Sequence, residues 1–296
     1  MLNKILKHYL QFSPYTNPGC YKDSLYKSLP DDIGRIGFLI RNQIIHRIEL
    51  GMSITGDVTP LKSFRKVKIP WYRQPEDDNF PTAAAMLVEL YRRDSKGLTL
   101  TRKDDNKLVL TCRFVAILMA CALKIKGIPT RVRSGFAPYF GIYGDKSIDH
   151  WINQYWSKEE KRWFTIDVDG SLFDGLSFNP YDLPKGVFDF SPDAWAWIRE
   201  GKVDPDHFRN SGGYEGLVVI AWELFYDFHC LMNNEIIYAH HPSCVTLKNF
   251  PLLKEEELIE IDKLAHLMQE PDNNFDKLME IWETSKKFRL LAGGLL

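Results

Sequence analysis

Cysteine is scarce in this chain. Its five cysteines, Cys20, Cys112, Cys121, Cys230 and Cys244, are odd in number and widely scattered. That spacing excludes a disulfide framework and fits a reducing, cytoplasmic compartment. Charge of one sign is also missing: 38 Lys and Arg stand against 39 Asp and Glu, a formal net charge of −1. Such a balance offers neither the basic footprint of nucleic-acid binding nor a polybasic membrane tether. Apolar runs are short, and the longest, Phe114–Leu123 and Gly216–Trp222, fall well below the ~20 residues of a bilayer-spanning helix. The first ten residues are amphipathic, with Leu2, Ile5, Leu6 and Tyr9 on one face, and lack the pattern of a secretory signal. There is no glycine-rich phosphate loop, dinucleotide fingerprint, repeat or low-complexity tract. The expectation is a cytoplasmic protein without cofactor, nucleic-acid partner or membrane partner.

What is present is a chain of 296 residues, 45% hydrophobic, enough for one large domain or two ordinary ones. Asp31 or Asp32 caps a predicted helix whose apolar spacing, Ile33, Ile36, Leu39, Ile40, Ile44 and Ile48, continues towards Gly51. A proline-bearing loop then holds a basic knot, Lys62, Arg65, Lys66 and Lys68, read as solvated. Thr82–Arg93 is a strong helix by propensity and by its apolar face at Met86, Leu87, Leu90 and Tyr91. Another helix, Cys112–Lys126, stops at Gly127 with Pro129 beyond. The period then switches to two: Thr130–Phe136, Trp151–Trp156 and Arg162–Val168 read as strands, the last two joined by a hairpin turning at Ser157–Lys161. After Gly170 come a proline-bearing loop, a short helix capped by Ser191 with Pro192, a nearly all-apolar helix from about Tyr214 to Asn233, and helices at Lys254–Gln269 and Asn274–Phe288. Helix followed by antiparallel strands is an α+β pattern.

Three residues in the middle of the chain carry candidate chemistry. Thr111 is placed to cap the helix that Cys112 opens, where unpaired backbone N–H groups and the helix dipole favour a thiolate and offer donors to an oxyanion. Arg113 adds positive potential while pointing away. His150, at the entry of the Trp151–Trp156 strand, can take the thiol proton, and Asp167, across the hairpin, can fix the imidazole tautomer. Asp169 competes with Asp167 for that role. Cys121, flanked by Ala120 and Ala122 in mid-helix, reads as a small hydrophobe. Cys230, His229, His240, His241 and Cys244 match no metal-ligand spacing, so no metal site is assigned.

Taken together, Cys112-Arg-Phe, Gly127-Ile-Pro-Thr-Arg131, His150-Trp-Ile-Asn-Gln-Tyr155 and Trp163-Phe-Thr-Ile-Asp167 resemble the transglutaminase-like superfamily of papain-type cysteine enzymes. The likeness covers roughly residues 80–170 and is similar to stand-alone intracellular members. It implies a helix bearing the nucleophile packed on an antiparallel sheet, with Cys112 as nucleophile, His150 as general base then acid, and Asp167 as orienter. It also implies thiolate attack on an amide carbon, a thioester, and release to water or an amine. The chain departs from the animal crosslinking enzymes, whose calcium-binding and barrel domains have no counterpart here. An upstream side-chain oxyanion donor is matched only by residue type, at Gln74 or Trp71.

The expected organisation is an N-terminal helical region over 1–79, the catalytic core over 80–170 and a C-terminal helical extension over 171–296. Trp71, Tyr139, Tyr143, Asp149, Trp151 and Asp169 are expected to line the substrate cleft, and the loop 136–147 to cover it. Of the aromatic pair Trp195 and Trp197, core packing is the favoured role. The expected function is amide hydrolysis or acyl transfer on a small molecule or peptide. Its alternatives are deglycosylation or deamidation by the same chemistry, and a binding or scaffold protein that keeps the fold without turnover.

Overall fold

In the computed structural model, residues 1–50, 73, 76–141, 144–172, 175–238 and 240–290 are described. The basic knot at residues 62–68, Trp71, Gln74 and Tyr143 lie outside them. The chain is 49% helix and 14% strand, a mixed α+β protein. It divides into two compact units that interleave along the sequence: one comprises Met1–His8, Val132–His150 and Lys185–Leu296, the other Tyr9–Arg131 and Trp151–Pro184.

Helix α1 (Leu2–Leu10) opens the chain, and the second unit is built around one later helix. It contains α2 (Lys22–Ser28), α3 (Ile33–Arg41), β1 (Ile44–His46), α4 (Ala83–Arg93), β2 (Leu108–Leu110) and α5 (Cys112–Ile125). Every residue of α5 is buried, with α2, α3 and α4 packed around it. Asp32 caps α3 by accepting from the Arg35 N–H, and Thr82 caps α4 by accepting from Ala85. The end of α5 is a Schellman motif: Gly127 adopts φ +75°, its N–H reaches Lys124 O, and the Ile128 N–H reaches Leu123 O.

The structure corrects one expectation here. The apolar spacing from Ile33 does not continue as helix through Ile44 and Ile48; α3 stops at Arg41 and Ile44–His46 becomes a strand. Asn42 and Gln43 turn the chain by donating from their side-chain amides to Thr99 O, while the Gln43 carbonyl accepts from Leu108 N. The β-branched pair Ile44-Ile45 then runs parallel to β2, with Ile44 opposite Leu108 and His46 opposite Leu110. Apart from the half-buried His46 both strands are buried, which is what lets a 3.6-residue spacing be read by a two-residue structure.

The remaining strands are β3 (Thr130–Ala137), β4 (Ser147–Ser157), β5 (Arg162–Ile166), β6 (Asp189–Phe190) and β7 (Phe208–Arg209). They form one sheet in the order β5-β4-β3-β6, with β7 added on β4. The boundary between units passes inside β3 and β4. Within the second unit β4 and β5 are the expected antiparallel hairpin, from Asn153 opposite Ile166 to Ser157 opposite Arg162. Asn153 ties this sheet to α5 by donating to Ala116 O at 2.9 Å, and Arg131 lies 4.2 Å over the Trp163 ring. Arg131 and Trp163 therefore pack on each other.

The first unit joins β3 and β6 as antiparallel partners and β4 and β7 as parallel ones. Its helices are α6 (Ser191–Arg199), α7 (Leu217–Leu231), α8 (Glu255–Gln269) and α9 (Phe275–Thr284). Ser191, expected as a cap, is instead the first residue of α6, which carries no side-chain cap. Trp195 is buried and donates to Asp262 of α8, so it belongs to the helical core. The apolar helix α7 hides two acids one turn apart, Glu223 and Asp227. Asp227 takes a two-pronged ion pair from Arg133 and the Ser134 N–H, and Glu223 accepts from the Ser134 hydroxyl. Buried carboxylates require such partners.

Candidate functional site

The parallel pair β1–β2 brings two reactive side chains together within the second unit. His46 ends β1 opposite Leu110, and two residues after Leu110 the chain enters α5 at Cys112. The consequence is a hydrogen bond between the His46 imidazole and the Cys112 thiol. Cys112 is 6% exposed. Thr111, expected as a side-chain cap, occupies the N-cap position but makes no cap; its hydroxyl donates to Asp77 Oδ1 at 3.3 Å.

A carboxylate and a guanidinium stand behind the imidazole. His46 Nε2 is 3.6 Å from Asp169 Oδ2, and Arg41 Nε is 3.0 Å from Asp169 Oδ1. Arg41 also donates to Ile44 O at 2.6 Å and pairs with Glu49, whose carboxylate accepts from the His46 N–H at 2.9 Å. Burial works against a charged His46, but the Asp169 carboxylate, the hydrogen bond to Cys112 and the thiolate charge outweigh it and raise the imidazole above its ordinary value. Arg41 opposes that rise. Asp77, between Arg47 at 2.8 Å and Thr111, is pushed up by burial against the pull of Arg47 and His46. Local charge therefore favours an imidazolium beside the sulfur, the setting in which a cysteine is a nucleophile.

Asp167 also lies in the second unit, but not on a strand: β5 ends at Ile166, and the Asp167 N–H donates to Pro180 O. The side chain, 1% exposed, accepts from Gly170 N at 2.8 Å. A Cβ on Gly170 would sit 2.1 Å from Asp167 Oδ2, so only glycine leaves room for this carboxylate. Its charge, after burial, contributes to raising the Tyr181 hydroxyl.

His150 belongs to the first unit. It lies inside β4 rather than at its entry, is 2% exposed, and meets Phe140 and Phe188 edge-on at 4.7 and 6.4 Å. In the same unit Asp149 accepts from the Ser211 N–H, and Tyr139 sits half-exposed in a 3-10 turn against Phe140. Trp151, back in the second unit, is buried beneath the guanidinium of Arg113. Arg113 is itself fully buried among Tyr15, Phe114 and Trp151.

Cys121, His229 and His241 have surroundings of their own. Burial pushes Cys121 up to about 12, which makes it inert at neutral pH. His229 Nδ1 faces Phe225 O and Nε2 accepts from Leu290 N, and His241 stacks on Trp222. Among the described residues no three His, Cys, Asp or Glu side chains are placed to hold a metal ion, and no helix is long and apolar enough to cross a membrane.

Sequence reasoning missed His46, Arg41, Glu49 and Asp77. His46 lay within an apolar spacing read as helix, and nothing local distinguishes it; only the pairing of β1 with β2 reveals it. Comparison with protein-family models, with curated proteins and with solved structures returns no match.

Proposed function

We propose that the chain is a cysteine-dependent amide hydrolase or acyltransferase with a transglutaminase-like, papain-like core. It acts through a thioester on a small-molecule or peptide substrate in the cytoplasm. One observation carries the reading: Cys112, at the first position of a buried helix, is hydrogen-bonded to an imidazole that is backed by a carboxylate. A cysteine serving only as a small core hydrophobe has no need of these partners. The motif order adds His150 as general base then acid and Asp167 as its orienter.

The chemistry follows from the polarity of the site. Thiolate attack on an amide carbon moves the carbonyl electron pair to oxygen, where the first N–H groups of α5 are donors. Collapse expels the amine with a proton and leaves the thioester. Water then completes hydrolysis, or a second amine completes transfer. The buried surroundings exclude bulk water and strengthen each charge interaction.

The test is to incubate the protein with a cell extract, quench in acid and weigh the intact chain by mass spectrometry. An adduct on Cys112, absent from Cys112→Ala, is the expected result, and its mass identifies the acyl donor. Loss of an amino sugar or of ammonia as co-product would make the reaction a deglycosylation or deamidation. A Cys112 thiol that alkylates no faster than the exposed Cys20 would discard turnover and leave the binding or scaffold reading.

A further inference from the structure

The strands that bring His46 to Cys112 have three residues each, and their ladder ends at His46 opposite Leu110. Beyond it one segment turns into the 3-10 stretch Arg47–Leu50 and the other enters α5. A parallel pair this short holds its register poorly unaided. Two consecutive acids of the second unit add the missing restraint. Glu76 accepts from the Val109 N–H, inside β2, at 2.7 Å. Asp77 binds the first residue beyond the ladder on both sides. Its Oδ2 accepts from Arg47 Nη1 at 2.8 Å, and its Oδ1 accepts from the Thr111 hydroxyl at 3.3 Å. Arg47 directly follows His46, and Thr111 directly precedes Cys112. One buried carboxylate therefore grips the sequence neighbour of each reactive residue. Thr111 gives up its usual role for this: it stands at the N-cap of α5 in extended backbone, φ −111° and ψ 179°, yet makes no side-chain cap.

We propose that Asp77 is a positioning residue for the nucleophile: through Thr111 and Arg47 it fixes the entry of Cys112 into α5 against the exit of His46 from β1. This rests on the reading of Cys112 as nucleophile. It holds whichever base takes the thiol proton, because the clamp acts on the neighbours of the reactive residues and not on the sulfur. The two oxygens divide the work. The Thr111 hydroxyl needs an acceptor, the Arg47 guanidinium needs a counter-charge, and a carboxylate serves both at once. An amide at position 77 offers a single oxygen and turns an N–H donor on the other partner. Burial pushes the Asp77 carboxyl up, while Arg47, His46 and the Thr111 hydroxyl pull it back towards the charged form that the clamp requires.

The experiment is the pH profile of iodoacetamide alkylation at Cys112, read by mass spectrometry against the exposed Cys20 in the same molecule. In the native protein Cys112 is expected to react the faster of the two. Thr111→Val keeps the shape of the side chain and removes its hydroxyl. It should slow Cys112 about fivefold, the net worth of one hydrogen bond, and carry the alkylation midpoint towards that of Cys20. Thr111→Ser should restore both. Asp77→Asn should also slow Cys112, and the double variant Asp77→Asn with Thr111→Val should be no slower than the slower single one, since both break the same clamp. A clamp that serves stability alone would lower the urea midpoint of Thr111→Val and leave the rate and profile of Cys112 as in the native protein. That result overturns the inference and leaves the proposed chemistry standing, and so do effects of the two substitutions that simply multiply. A native Cys112 no faster than Cys20 removes both. Should Thr111→Val fail to fold, Asp77→Asn decides alone, and an unmoved midpoint there rejects the clamp.

Discussion

At the residue scale, small side chains and missing ones set the site as much as the reactive groups do. Gly170 has ordinary backbone angles, so its identity is dictated by contact alone, the Asp167 carboxylate lying where a Cβ would be. Gly170→Ala should cost about 1–3 kcal/mol of stability, the range for forced overpacking, and should lower turnover through displaced Asp167. Urea melts and acyl-enzyme yield measure the two effects. A fully stable, fully active Gly170→Ala would mean that Asp167 has another resting position. Gly127 is the opposite case: space around it is open, and its φ of +75° is the constraint. Gly127→Ala should cost about 1 kcal/mol by left-handed strain, visible as a lower denaturation midpoint with unaltered Cys112 alkylation.

At the scale of elements, buried charge pairs join segments that hydrophobic packing alone would leave free to slide. Arg133 of β3 and Asp227 of α7 meet with two parallel hydrogen bonds, and Asp227 is fully buried. Asp227→Asn leaves a buried guanidinium without its counter-charge, a loss of about 3–5 kcal/mol. Denaturant titration should show it, and a change below about 1 kcal/mol would mean that water reaches the pair. In the second unit Glu76 does comparable work, accepting from the Val109 N–H of β2 and from Arg73 and Arg93. It thus satisfies a three-residue strand that pairs with β1, and that strand delivers Cys112.

For the molecule as a whole, pH acts through histidines shifted in opposite senses. His229 and His241 are lowered from 6.5 to about 4, both chiefly by burial, so the folded state holds them neutral while the unfolded chain protonates them. A depressed value gives stability that is complete above pH 6.5 and is lost as the pH falls towards 4. His46 has a raised value and works the other way, adding stability as the pH drops below its folded midpoint. The two lowered histidines pull the melting temperature down between pH 6.5 and 4, against the opposite pull of His46 and of Asp77 and Asp189, which burial raises. NMR should find His229 neutral over the upper part of that window and half-protonated near its lower end, since Leu290 N donates to its Nε2 and burial lowers it to about 4. A His229 midpoint near 6.5 would contradict its depression by burial.

The sequence by itself determined the elements whose signals are local. The helix α4, the glycine stop at Gly127, the hairpin between β4 and β5, and Cys112 at the start of α5 all follow from neighbours within a few residues. Other features needed partners distant in the chain. Ile44 and Ile45 share a helical spacing with α3 and become a strand only because Leu108–Leu110 runs beside them. Thr111 looks like a cap and is claimed by Asp77, more than thirty residues upstream. Glu223 and Asp227 look like interruptions of an apolar helix until Arg133 and Ser134 are set against them. His46 has no local signature at all. A parallel strand pair is specified by non-local pairing, so only the tertiary structure decided that this histidine shares a hydrogen bond with Cys112.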